Sequence, residues 1–265
     1  MLYILFCVYF HFTIYLYKYH RMKASIFQNP KISFLILLIM VFEIFGEILN
    51  VHPLRMLKPI PIIMLIINLH FKNGVQDPSL LTVMKYGLIL SLVGDIALMY
   101  REDYMFMIGT GFFLISHIVY CVGENIGEKK RKITKNKKIV SYVVCFMLFA
   151  LFLSNVYSLW DVFPNRFLFP FYGFILCLMN MFSILRYEKT NAPSYQQMMV
   201  GALLFGISDN ILALLKFNNI SSHLGKGIVM IFYYGSQFFI MHGTISHSTL
   251  RNELSECFRG SSEKI

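Results

Sequence analysis

Apolar runs of bilayer-crossing length recur along almost the whole chain, separated only by short polar gaps. About 20 apolar residues are enough for one helix to span the hydrocarbon core. The runs fall at roughly 33–50, 56–71, 81–100, 104–123, 138–157, 167–186, 197–216 and 226–247, with a shorter apolar stretch at 2–17. They predict an all-α, polytopic membrane helix bundle with eight transmembrane helices. The stretch 2–17 lacks a basic segment before it and a small-residue cleavage site after it, which argues against a cleaved signal peptide. It is read as an extra N-terminal span or anchor, the ninth helix beside the eight. The gaps leave no room for a soluble domain. The expected organisation is therefore an apolar anchor with a basic flank over 1–30, one membrane domain over 31–248 and a polar tail over 249–265. Composition agrees: 57% of residues are hydrophobic and 14% charged, against about 25% charged in soluble domains.

The formal charge of +10 could suggest nucleic acid, but the basic residues sit at span ends and in loops. Lys18, Arg21, Lys23 and Lys31 precede the first long run, and Lys129, Lys130, Arg131, Lys132, Lys135, Lys137 and Lys138 lie between the fourth and fifth. Positive loops stay cytoplasmic, so these loops and the C-terminal tail are expected there, and no nucleic-acid partner is expected. Asn219-Ile220-Ser221 then faces the lumen or exterior, too close to the seventh run for glycosylation. The Lys-rich loop also suits anionic lipid head groups, with topology alone the simpler reading. The five cysteines show no CxxC or Cys/His spacing, so neither a disulfide framework nor a structural zinc site is indicated.

Two carboxylates lie inside these runs. Asp95 and Asp209 each end a Gly-x7-Asp pattern, GLILSLVGD from Gly87 and GALLFGISD from Gly201. A carboxylate at the centre of a membrane helix costs about 2.5–3.5 kcal/mol on insertion scales, so such a residue faces protein and usually functions there. Helical spacing puts Gly87, Ser91 and Asp95 on one stripe and Gly201, Phe205 and Asp209 on another, and small residues allow close helix approach. The 114-residue offset also superposes Tyr120 on Tyr234, the pattern of a weak internal repeat. His117, Tyr120, Tyr233, Tyr234, Gln237, Glu43, Glu47 and Lys58 add further polar groups at membrane depth. Each alone has a bland explanation: an aromatic belt, a snorkelling lysine or a satisfied core histidine.

The segments YGLILSLVGDIALMY, YMFMIGTGFFLISHIVY, GALLFGISDNILALLKF and IVMIFYYGSQ, with LKPIP at Leu57–Pro61, resemble the YhhN-like (transmembrane protein 86) lysoplasmalogenase family of eight-helix membrane proteins. The similarity runs from about residue 33 to 248 and leaves out 1–30 and the tail. The resemblance implies a membrane hydrolase that cleaves the vinyl ether bond of lysoplasmalogens to a fatty aldehyde and a glycerophospho-alcohol, with no cofactor. It places Asp95, His117, Lys58, Asp209, Lys216, Tyr233, Tyr234 and Gln237 at motif positions. The N-terminal stretch and the long basic loop depart from the compact family pattern.

Vinyl ether hydrolysis needs a proton for the β-carbon and a carboxylate for the oxocarbenium ion, and two buried carboxyls sharing a site can divide those tasks. Glycosidases use the same division. Asp95 and Asp209 are the expected pair, acid and carboxylate unassigned. Ser91, His117, Tyr120, Tyr233, Tyr234 and Gln237 are the expected supports, and Lys58 and Lys216 are phosphate-binding or snorkelling cations. The expected partners are a lysophospholipid substrate with a choline or ethanolamine head group and membrane lipids. The expected location is the endoplasmic reticulum, and whether the chain forms a homodimer stays open. Two other classes compete. A proton-coupled transporter would also use paired intramembrane acids, although no Gly/Pro-broken pair of segments marks a transport site. A zinc-dependent lipid hydrolase needs several intramembrane histidines, and His117 and His242 are the candidates.

Overall fold

Backbone at lipid depth must satisfy its own N–H and C=O groups, which leaves helices as the economical solution for apolar runs of this kind. A computed structural model describes residues 30–51, 56–71, 78–100, 102–126, 135–157, 168–188, 190–218 and 220–262. Among them the chain forms α1 (Pro30–Ile48), α2 (Pro59–His70), α3 (Pro78–Leu98), α4 (Asp103–Asn125), α5 (Lys135–Tyr157), α6 (Leu168–Leu185), α7 (Ala192–Phe217) and α8 (His223–Ser262). A single 3₁₀ turn at Arg186–Glu188 follows α6. The expected span at 2–17, most of the Lys-rich loop and Asn219 lie outside the described residues.

Five helical stretches are long and apolar enough to cross a membrane: Ser79–Leu98, Asp103–Asn125, Leu168–Leu185, Ala192–Phe217 and His223–His247. The outward faces are apolar as well. Phe34, Phe42 and Phe45 of α1 and Val140, Phe146 and Met147 of α5 are exposed, as suits a bundle whose solvent is lipid.

The helix ends differ from the apolar runs for local reasons. The run at 56–71 yields only the 12-residue α2, about 18 Å long at 1.5 Å per residue. Pro59 and Pro61 occupy its first turn, where a missing N–H is tolerated, and Lys58 is its N-cap residue. The helix therefore begins inside the bundle. The start of α7 extends five residues ahead of its apolar run, because Asn191 accepts a hydrogen bond from the Ser194 N–H at 2.7 Å and caps the helix. The 40 residues of α8 measure about 60 Å, twice a hydrocarbon core. The tail expected from 249 onward continues that helix to Ser262.

Two hairpins organise the interior, α3 against α4 and α7 against α8. Glycines set both approaches. A Cβ on Gly87 would collide with the Tyr120 ring, and one on Gly201 would lie 2.9 Å from the Ser236 carbonyl oxygen. The first stripe is tied by hydroxyls. Ser116 Oγ donates to the Gly87 carbonyl at 2.9 Å, so at the 2.8 Å Ser91–Ser116 contact the Ser91 hydroxyl is the donor.

Candidate active site

One end of the bundle holds a cavity of about 70 Å³ between the ends of seven segments. Asp95 reaches it from the last turn of α3, Phe106 from the first turn of α4, Tyr172 from the second turn of α6, and Asp209 from two turns before the end of α7. Tyr233 enters from the third turn of α8, and Lys58 from just ahead of α2. Most of the remaining wall is phenylalanine, leucine and valine. The cavity lies at the start of α4, and the Lys-rich segment follows the other end of that helix.

Each carboxylate is held by one phenol and one nitrogen. Tyr233 donates its hydroxyl to Asp95 Oδ2 at 2.5 Å, and Lys58 Nζ lies 3.8 Å from Asp95 Oδ1. Tyr172 donates to Asp209 Oδ2 at 2.5 Å, and His117 Nε2 lies 3.3 Å from the same oxygen. The partners cross between hairpins: Asp95 of the first takes Tyr233 from α8, and Asp209 of the second takes His117 from α4. Aromatic rings fill the space between the hairpins. Phe205 stands 4.5 Å from the His117 ring centroid and 5.5 Å from that of Tyr233, and Phe113 lies 5.8 Å from Tyr233. The resulting site is preorganised by packing on four helices, with its two acids inside one low-dielectric space.

The other residues expected from sequence stand farther out. Tyr234 donates to the Lys58 carbonyl at 3.1 Å, so it fixes the start of α2. Tyr120 is fully buried and donates to Gln237 Oε1 at 2.7 Å, tying α4 to α8 away from the cavity lining. Ser91 supports the first hairpin through Ser116. Lys216 has a side chain 31% exposed, pairs with Asp103 at 3.0 Å, and lays its ammonium 4.7 Å from the centroid of the cavity-lining Phe106 ring. Lys58, by contrast, is only 12% exposed and lies inside the site. His242 packs on Phe238 at 4.3 Å. Among the described residues no group of three or more His, Cys, Asp and Glu converges as metal ligands would.

Two residues in or beside the site carry no distinguishing signal in the sequence. Tyr172 reads there as an aromatic-belt residue near a span end, and only its neighbour Gly173, which admits Phe152 against the helix, hints at interior packing. Glu43 reads in the sequence only as a polar group at membrane depth. It is fully buried on α1 and faces both Lys58 and Tyr234.

The fold and cavity together define a helical protein of membrane type with a two-aspartate site at one end of its bundle. The YhhN family model matches residues 54–244, most of the chain, so the protein belongs to the YhhN family. No match to it was found among curated proteins or among solved structures.

Proposed function

We propose that this chain is a membrane hydrolase that cleaves the vinyl ether bond of a lysoplasmalogen, bearing choline or ethanolamine, to a fatty aldehyde and a glycerophospho-alcohol. The observation that carries this reading is the convergence of Asp95 and Asp209 from different hairpins on one largely apolar cavity. Protonation of the β-carbon makes an oxocarbenium ion, which water captures, and the hemiacetal then releases aldehyde and alcohol. One carboxyl group delivers the proton while the other offsets the cation, as in the two-carboxyl glycosidase template. An apolar wall accepts the alkenyl chain and keeps bulk water from competing with the ordered nucleophile. No cofactor enters this scheme.

In this reading all eight helices belong to the membrane domain and the Lys-rich loop and C-terminus are cytoplasmic, so the cavity opens on the opposite, lumenal leaflet of the endoplasmic reticulum. Lysophospholipids enter it from that leaflet. The test is to incubate purified protein with vinyl-ether and ester lysolipids of matched chain length and identify the products. Aldehyde from the vinyl ether and no fatty acid from the ester is expected. Absence of aldehyde across choline and ethanolamine substrates would refute the activity.

A further inference from the structure

We infer that the catalytic proton is held by the Asp209–His117 pair, and that Asp95 works as the ionised carboxylate. This assignment rests on the hydrolase reading above and divides the labour within that site. Donor and acceptor chemistry at the two aspartates separates their roles. His117 Nδ1 lies 2.5 Å from the Phe113 carbonyl oxygen. A carbonyl only accepts, so Nδ1 carries a hydrogen. In neutral imidazole Nε2 is then a bare lone pair, and it lies 3.3 Å from Asp209 Oδ2. Nε2 is buried and makes no hydrogen bond among the described residues.

A lone pair facing a carboxylate inside protein is two acceptors with nothing between them, an unsatisfied arrangement that burial penalises. One proton resolves it, whether it resides nearer the oxygen or the nitrogen. Asp95 has no such requirement. Its Oδ2 accepts from the Tyr233 hydroxyl, and the Lys58 ammonium 3.8 Å from Oδ1 offsets its charge, so its carboxylate is accommodated without a proton. Tyr172 donates to Asp209 in the same way, and the histidine is what distinguishes the two acids.

The step then balances. The proton leaves the Asp209–His117 pair for the β-carbon, using the π electrons of the C=C bond, and the α-carbon becomes an oxocarbenium centre opposite the Asp95 charge. Water adds its oxygen to that carbon and returns a proton to the pair. The hemiacetal hydroxyl loses its proton as the carbon–oxygen bond to glycerol breaks, the glycerol oxygen takes up a proton, and the pair ends as it began. The ionisable groups facing the pair are Tyr172 from α6 and, across the cavity, Asp95, Tyr233 and Lys58.

The test is nitrogen NMR of the full chain in detergent with labelled histidine, comparing wild type, His117→Gln, Asp209→Asn and Asp95→Asn. The resonances lost in His117→Gln should show a protonated Nδ1 and an Nε2 that is hydrogen-bonded or protonated. They should move in Asp209→Asn and stay in Asp95→Asn. A bare Nδ1, a bare and unbonded Nε2, or a response to Asp95→Asn alone overturns the assignment. If His117→Gln fails to fold, the two aspartate variants still decide it. This readout needs no turnover, so it stands or falls separately from the choice of substrate. In vinyl ether assays, folded His117→Gln should lose about 10²- to 10⁴-fold in kcat with KM kept. An unchanged kcat would overturn it.

Discussion

Tyr172 and Tyr233 stand in matching positions, each a phenol donating at 2.5 Å to one aspartate. Removing only the hydroxyl should leave the rings in place, because Tyr172 stacks on Phe152 at 5.9 Å and Tyr233 packs edge-on against Phe113. Hydrogen bonds to charged groups contribute about 1.5–3 kcal/mol. Tyr172→Phe and Tyr233→Phe are therefore each expected to slow aldehyde release about 10- to 100-fold and to lower the melting temperature in detergent without preventing folding, and kinetics beside a melting curve checks both. The aspartates were legible in the sequence because a charge within an apolar run is an energetic anomaly on its own. Tyr172 was not, since a tyrosine near a span end needs no special partner. Lys58 and Lys216 looked equivalent as end-of-span cations. Their difference depends on where α2 starts and on Asp103, neither of which hydropathy reports.

At the level of the helix, a stripe of small residues and an unexpected cap do most of the positioning. Gly87 lies under the Tyr120 ring, so Gly87→Leu overfills the α3–α4 contact. Overpacking costs about 1–3 kcal/mol, and the expected result is a lowered melting temperature together with lost activity, since the displaced helix carries Asp95. At the opposite end, Arg186 is fully buried and donates from Nη1 to the carbonyls of Gly123, Glu124 and Ile126 at 3.0, 3.0 and 2.6 Å, with Nε 3.8 Å from Glu124 Oε2. It closes the C-terminus of α4, where the C-cap residue Ile126 turns into extended conformation and leaves the last carbonyls in need of donors. Breaking such a buried pair costs about 3–5 kcal/mol, so Arg186→Met should destabilise the protein by about that much, as followed by detergent unfolding. Helix positions were legible because hydrophobic runs of about 20 residues leave little choice in lipid. Helix ends were not, because proline at 59 and 61, the Asn191 cap and the Arg186 clamp act over single residues.

Across the whole molecule, the resemblance of α3–α4 to α7–α8 becomes an exchange of partners, with each hairpin supplying the group that holds the other's aspartate. The repeated Gly-x7-Asp pattern was visible in the sequence. The exchange was not, since it depends on how far Phe113, Phe205 and Tyr233 hold the hairpins apart. Charge distribution gives a separate expectation at this scale: an epitope after Ile265 should be reachable in cells whose plasma membrane alone is permeabilised, and protection there would reverse the orientation. The central claim, that two hairpins build one reaction site, is tested most directly by the rates of Asp95→Asn, Asp209→Asn and the double variant on a vinyl ether lysolipid. Residues acting as a unit are strongly non-additive. Each folded single variant should lose at least about 10²-fold, and the double variant should be no slower than the worse single. Wild-type rates in either folded single variant, or losses that multiply in the double, would contradict a shared site.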